Sequence, residues 1–241
     1  YVISKIQEEM KANHYNYGDF AVLYRTNAQS RVIEDSLLKS NIPYKMVGGH
    51  KFYDRKEIRD VLAYLRLIAN PDDNMSFERV VNVPKRGIGP GTIEKLRTSS
   101  NQYDWSLLET ALNVSITPIS GKAASELEAF GFMMKDLRQM QEYVPVTELV
   151  EEVLKRSGYQ KSLELERTLE SETRLENIQE FLTVTQQFEK ENTEDKSLLT
   201  FLTDLALVSD LDNLEEEPQS EVTLMTLHAA KGLEFPIVFL I

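Results

Sequence analysis

"DFAVLYRTNAQSRVIEDSLLKSNIPYKMVGG", residues 19–49, is the stretch that decides the fold class. Its opening "DFAVLY" (19–24) is a short continuous apolar run of the length of a buried strand. Thr26 or Asn27 can then cap a helix running from about Gln29 to Ser40. "IPYKMVGG" (42–49) follows as a second strand that ends in a Gly48-Gly49 joint. Strand, helix and strand in that order are the signature of a parallel sheet. The residues ahead of it, through about Lys11, read as a further helix.

From Asp54 the apolar period changes to that of a helix. Ile58, Val61, Leu62, Leu65 and Ile68 line one face, and Asp54 with Glu57 is expected to form a capping box. Helices are then expected over 75–82, 90–98, 104–112, 120–142, 147–157, 168–190 and 197–208, with breaks at Pro84, Pro118, Pro145 and Gly158. An acidic loop, "SDLDNLEEEPQSE" (209–221), closes the run, and "VTLMT" and "PIVFLI" return as strands. No internal repeat is visible. The chain starts at Tyr1 and stops within an apolar strand, so it reads as an excerpt of a longer protein.

Composition excludes several classes. Among 241 residues there is no cysteine, which removes disulfides, thiolate metal sites and a cysteine nucleophile. His14, His50 and His228 are isolated and argue against a zinc site. No run is long and apolar enough for a membrane span, and no signal peptide opens the chain, so a cytoplasmic location is expected. The net charge of −12 is unevenly placed. Residues 160–220 hold 16 acidic against 5 basic side chains, whereas 79–97 carry Arg79, Lys85, Arg86, Lys95 and Arg97 against Glu94 alone. A local basic patch can meet phosphates while a distant acidic face stays in water.

Three segments carry candidate chemistry. In "VPKRGIGPGTIEKL" (83–96) two glycines flank one apolar residue, Pro90 falls at a first helical position, and Thr92 lies in the first turn, where free N–H groups point outward. Such a turn can receive an anion, as in a helix-hairpin-helix phosphate clamp, or can simply join two helices. On the residues alone both readings stand. "TLHAAKGLEF" (226–235) lies between two apolar strands, where open α/β sheets bind ligands, and gathers Thr226, His228, Lys231 and Glu234. In "VLYRTNAQSR" (22–31), Arg25, Thr26, Asn27 and Gln29 follow a strand. They suit either a cap or contacts to a phosphate or base, and capping leaves Arg25 and Arg31 unexplained. Trp105, Tyr103 and Phe77 read as core, and a Walker A motif, G-x-x-x-x-G-K-S/T, is absent.

The segments "FAVLYRTNAQSR", "VGGHKFYDRKEIRDVLAYLRLIANPDD", "VNVPKRGIGPGTIEKL" and "TLHAAKGLEFPIVFL" in this order resemble the bacterial PcrA/UvrD-type superfamily 1 DNA helicases over essentially the whole chain. The resemblance implies a mostly α chain, with a helical 2B-like domain inserted into part of a RecA-like α/β domain. Residues 1–49 would be part of domain 2A, 50–215 the 2B insertion with its helix-hairpin-helix, and 216–241 the return into 2A. It also implies roles. Thr226 and His228, with Arg25 and Asn27, would lie along single-stranded DNA. Arg59, Gly87, Gly89 and Thr92 would contact duplex, and Glu234 would reach the ribose of ATP. Arg59 replaces what is often a lysine and keeps its charge. The parent would be an ATP-dependent 3′ to 5′ helicase of repair or replication that uses ATP and Mg, with 2B swivelling about joints near Gly48-Gly49 and 210–220 and offering a surface to protein partners. Most of the ATP site has no counterpart here, so neither catalytic nor metal-binding residues are expected in this chain, and no cofactor bound to it. A non-catalytic DNA-binding or protein-docking module is the alternative.

Overall fold

The computed structural model describes residues 1–213 and 220–241. In chain order the elements are α1 (Val2–Asn13), β1 (Phe20–Tyr24), α2 (Ser30–Lys39), β2 (Tyr44–Val47), α3 (Lys56–Ala69), α4 (Asn74–Val80), α5 (Pro90–Tyr103), α6 (Leu107–Leu112) and α7 (Gly121–Met140). α8 (Val146–Arg156), α9 (Tyr159–Glu166), α10 (Leu169–Glu191), α11 (Leu198–Asn213), β3 (Val222–Thr226) and β4 (Ile237–Leu240) complete them. The chain divides into a sheet unit, Tyr1–Arg55 with Asp204–Ile241, and a helical unit, Lys56–Thr203.

The sheet unit is built on four strands in the order β2-β3-β1-β4. All pairs are parallel, with Tyr24 opposite Thr226 and Val47 opposite Met225. β1 lies between two neighbours and β3 does too, which is why "FAVLY" and "VTLMT" are apolar almost throughout rather than alternating. β4 lies at an edge and alternates, with Val238 and Leu240 exposed. The core beneath the sheet joins Phe20, Val22 and Tyr24 to Ile6 of α1, Leu37 of α2, Tyr44, Val222 and Leu224. From β1 the chain passes to β2 on one side, and from β3 it passes to β4 on the other. The two neighbouring strands therefore send their exits in opposite directions across the sheet.

The helical unit packs around α3, most of whose side chains are buried. Phe77 of α4 meets Phe130 of α7 edge to face at 5.5 Å, and Phe201 of α11 packs edge to face on Phe181 and Phe188 of α10. A full burial of this kind stabilises by about 1.5–3 kcal/mol per side chain. Gly131 allows α7 to approach α6, because a Cβ there would lie 3.0 Å from the Leu112 side chain. Among the described residues no helix is long and apolar enough to cross a membrane.

Several expectations are corrected. A mostly α description fails, because the chain contains a four-stranded, all-parallel sheet whose strands find their partners within the chain. Each strand has only four or five residues, so the sheet is inconspicuous in residue count, although its pairings join residues some two hundred positions apart. The Asp54–Glu57 capping box does not form. Glu57 is buried and accepts a hydrogen bond from Asn177 Nδ2 at 2.5 Å. Helix α9 was unexpected, since only Tyr159 and Leu163 of it are buried and its apolar stripe is too short to read. The acidic loop and the joint expected at 210–220 fall largely on residues 214–219, outside the described residues, and α11 extends to Asn213.

The sheet has a direct test. Amides of residues 21–24 should exchange with deuterium as slowly as the core helices α3 and α10, because β1 is bonded on both sides. Exchange there as fast as in residues 25–29 would show that the strands are not paired.

Candidate nucleic-acid interface

Parallel register brings three sequence-distant segments to one edge. Tyr24 ends β1 opposite Thr226 of β3, the Leu227 N–H donates to the Tyr24 carbonyl at 3.0 Å, and β2 ends beside β3 at Gly48. Gly48 has φ +76°, and a Cβ there would lie 3.2 Å from that of Ala229; the Cβ position of Gly49 is 3.9 Å from Asn27 Oδ1. "YRTN", "VGG" and "TLHAAKG" thus meet at the carboxyl end of the sheet. Arg25, His228, Lys231 and Glu234 are exposed, and Asn27 and Thr226 are half-buried. Thr226 shapes its loop: its carbonyl accepts from Ala229 and Ala230, and its Oγ1 accepts from the Ala229 N–H at 3.3 Å.

Gln29 and Arg31, which the sequence left open, belong to the scaffold. Gln29 Oε1 accepts the N–H groups of both Arg25 and Thr26 at 2.9 Å, closing a capping box with Thr26. Arg31 is buried and pairs with Asp35 at 2.6 Å one turn on. Beneath the loop lies a polar cluster that sequence reasoning missed. Glu34, 2% exposed, accepts from Ser30 Oγ at 2.6 Å, the Phe52 N–H at 3.0 Å and Tyr44 Oη at 3.3 Å, with Arg55 3.7 Å away. Burial pushes its carboxyl above the usual range, and Ser30 and Arg55 oppose that shift. Arg55 and Glu34 are 21 positions apart, and no local pattern reveals the pair.

In the helical unit α4, a tight turn and α5 form the expected helix-hairpin-helix. Asp73 caps α4 by accepting the Ser76 N–H at 3.0 Å, and Asn82 Oδ1 holds the turn by accepting from the Arg86 and Ile88 N–H groups at 2.7 and 3.2 Å. Gly87 has φ +78°, Gly89 is the N-cap of α5, and Pro90 is its first residue. Thr92 is half-buried, and its N–H turns back to the Gly89 carbonyl at 3.1 Å. The glycines separate on one point. Gly87 needs its positive φ, but the backbone at Gly89 suits any residue, and a Cβ at Gly89 or Gly91 would meet nothing within 4 Å. A glycine in the first turn of a helix costs about 1 kcal/mol relative to alanine, and nothing inside the fold demands it here. The bare main chain faces outward, as close approach of an anion requires. Gly91 therefore joins Gly87, Gly89 and Thr92 as a candidate; its signal was the unfavourable helix propensity.

The basic patch around the hairpin is smaller than its sequence suggests. Arg86 is structural: Nη1 donates to the carbonyls of Val80 and Val81 at 3.0 and 2.9 Å, and Nη2 donates to Tyr64 Oη at 2.9 Å and to the Ser157 carbonyl at 3.1 Å. Its guanidinium also lies 5.1 Å from the Phe130 ring centroid. Arg79 pairs with buried Asp60 at 2.9 Å, and Arg97 grips Glu78 through two bonds of 2.6 and 2.5 Å. Lys85, Lys95 and Arg59, all exposed, pair with no described carboxylate. Of the aromatic residues, Phe77 is core as expected, whereas Tyr103 is partly exposed and stacks on Trp105 at 5.0 Å.

The Glu78–Arg97 fork straps α4 to α5. Hydrogen bonding from Arg97 holds the Glu78 carboxyl below its usual value of 4.5, so the strap's contribution is present above that pH and is lost as pH falls through the lower folded-state value. Arg97→Ala should therefore destabilise the chain slightly at pH 7, and the difference should shrink in acid. Urea titrations at pH 7 and pH 3 check this; an equal difference at both would remove the charge from the explanation.

The family described as UvrD-like helicase C-terminal domain matches residues 1–241. The chain is 50% identical over 245 residues to ATP-dependent DNA helicase PcrA of Bacillus subtilis (strain 168), covering 100% of this chain and 33% of that protein. It is 52% identical over 247 residues to ATP-dependent DNA helicase PcrA of Leuconostoc citreum, again covering 100% of this chain and 33% of the relative. The chain thus spans about a third of the length of the curated relatives it matches. One C-terminal-domain family covers it without a break, in place of the expected 2B-like insertion within part of a RecA-like domain. The chain belongs to the UvrD-like helicase C-terminal domain family.

Proposed function

We propose that this chain is the DNA-contacting part of an ATP-dependent 3′ to 5′ DNA helicase that unwinds duplex in repair or replication. The observation that carries the reading is the convergence of "YRTN", "VGG" and "TLHAAKG" at the carboxyl edge of the parallel sheet. In this reading Arg25, Asn27, Thr226 and His228 track a single strand through its phosphates and sugars. The hairpin, through Gly87, Gly89, Gly91 and Thr92, receives a duplex phosphate at the start of α5, with Arg59 on a second phosphate. In the same reading Glu234 hydrogen-bonds a ribose. The relatives' names call them ATP-dependent, but one exposed carboxylate does not make a nucleotide site. No Walker A motif is present, and the described residues contain no group of three His, Cys, Asp or Glu that could hold a metal. The parts for phosphoryl transfer would lie elsewhere in the parent, and this chain alone should bind DNA without DNA-stimulated ATP hydrolysis.

A salt titration tests the reading against docking of a basic protein on the acidic residues. With Lys85, Lys95 and Arg59 as the free cations near or beside the hairpin, log affinity for duplex should fall against log salt with a slope of roughly −2 to −3, at about 0.9 per phosphate. Arg59→Ala should flatten it by about one unit. No measurable duplex binding at 50 mM salt would defeat the reading.

A further inference from the structure

We propose that Arg55 is the positioning residue of the single-strand loop: its buried guanidinium clamps the exit of β1 to the exit of β2 and so sets where Arg25 and Asn27 stand. The inference rests on the reading of that loop as a strand-binding element.

Residues 25–29 are exposed or half-buried, so packing cannot hold them. Local hydrogen bonds fix part of the loop, since Gln29 Oε1 secures the amides of Arg25 and Thr26. The Asn27 carbonyl, at the point where the loop turns into α2, accepts the Ser30 N–H and keeps a second lone pair. Ser30 Oγ lies 2.9 Å from that carbonyl but has one proton, and the Glu34 carboxyl oxygen at 2.6 Å is the nearer acceptor. The second lone pair of the Asn27 carbonyl is taken by Arg55 Nη1, which donates to it at 3.0 Å. Arg55 Nη2 donates to Ser30 Oγ at 2.8 Å, and Nε to the His50 carbonyl, just past Gly48-Gly49, at 3.2 Å. One planar group thereby joins the loop after β1, the start of α2 and the loop after β2.

Charge explains why an arginine is needed. Burying a guanidinium costs several kcal/mol, which Glu34 and three aligned acceptors must offset, whereas a neutral amide could satisfy one carbonyl without that cost. Only the rigid fork reaches acceptors on three segments at once. Arg55 is 6% exposed and lies over the Phe52 ring, with 5.3 Å to the centroid, so it fixes the loop from beneath and touches no ligand itself. Asn27 Oδ1, lying against Gly49, inherits its place from this clamp.

The test uses the full chain, a fluorescent oligothymidylate and a blunt duplex. Arg55→Lys and, as a milder change, Ser30→Ala should each weaken single-strand binding, Arg55→Lys by about tenfold, because the loop must then be ordered on binding. Duplex affinity should stay at the parent's value, and amides of residues 25–30 should exchange faster while those of 21–24 do not. A positioning role also predicts an unchanged salt slope for single-strand binding in Arg55→Gln, whereas Arg25→Ala should flatten it by about 0.7. A slope flattened by Arg55→Gln as much as by Arg25→Ala would make Arg55 a phosphate ligand and overturn the proposal. Parent-like single-strand affinity in both Arg55→Lys and Ser30→Ala would overturn it too. If Arg25→Ala and Asn27→Ala leave single-strand binding intact, the strand-binding reading fails instead. The clamp is then decided by exchange at 25–30 in Arg55→Lys: acceleration supports it, and parent-like exchange overturns it.

Discussion

Arg86→Ala is expected to lower the stability of the helical unit by about 3–5 kcal/mol, measured as a shift of the urea midpoint of the full chain. The substitution takes the guanidinium's donors from the Val80, Val81 and Ser157 carbonyls and the Tyr64 hydroxyl, of which Val80 keeps the Val83 N–H, and removes a cation from the Phe130 face. These acceptors come from α3, the end of α4 and the end of α8, so water admitted to one of them disturbs the others. Arg86→Lys should recover only part of the loss, since an ammonium keeps the charge without the fork. A loss below about 1 kcal/mol in Arg86→Ala would mean that the hairpin is held by Asn82 and the α4–α5 strap alone.

Thr92→Glu should cost duplex affinity more than about tenfold, from a parent Kd on the order of 10⁻⁴ to 10⁻⁶ M. Thr92 is the third residue of α5, where an acidic side chain favours the helix dipole, so the change should leave the fold intact or slightly stabilise it. Loss of binding without loss of stability is the signature of a phosphate repelled from its place. Gly91→Ala is the companion. It should raise stability, since alanine is the better helix former and meets nothing within 4 Å, while a methyl group at the cradle should weaken duplex binding. Stability and binding moving in opposite directions would separate a site from a turn.

The two units differ in how much of them can be read from the sequence. "FAVLY", the cap residue after it and "YKMV" announce themselves because their signals are local: a continuous apolar run, a short polar cap and paired glycines. The order β2-β3-β1-β4 is not local, since it joins Phe20–Tyr24 to segments two hundred residues on, and the short strands were therefore underweighted against the helices. The hairpin's glycines and Pro90 were legible for the same local reason, yet its charge was not. Arg79, Arg86 and Arg97 look like free cations in a row, but Asp60, the carbonyls around Tyr64 and Glu78 claim them, and those partners lie on other helices. Likewise Gln29 reads as a ligand until its carbonyl is seen to hold the Arg25 and Thr26 amides. A long polar side chain next to a candidate site has two possible destinations, and only the tertiary fold chooses between them.

In the proposed reading the sheet edge and the hairpin are separate DNA contacts, one for a single strand and one for duplex. The decisive measurement titrates parent, Arg25→Glu and Thr92→Glu chains with a fluorescent single strand and a blunt duplex at one salt concentration. A crossed result is expected, with Arg25→Glu losing the single strand and keeping the duplex, and Thr92→Glu doing the reverse. Both variants binding both probes as the parent does, or each losing both equally, would contradict it.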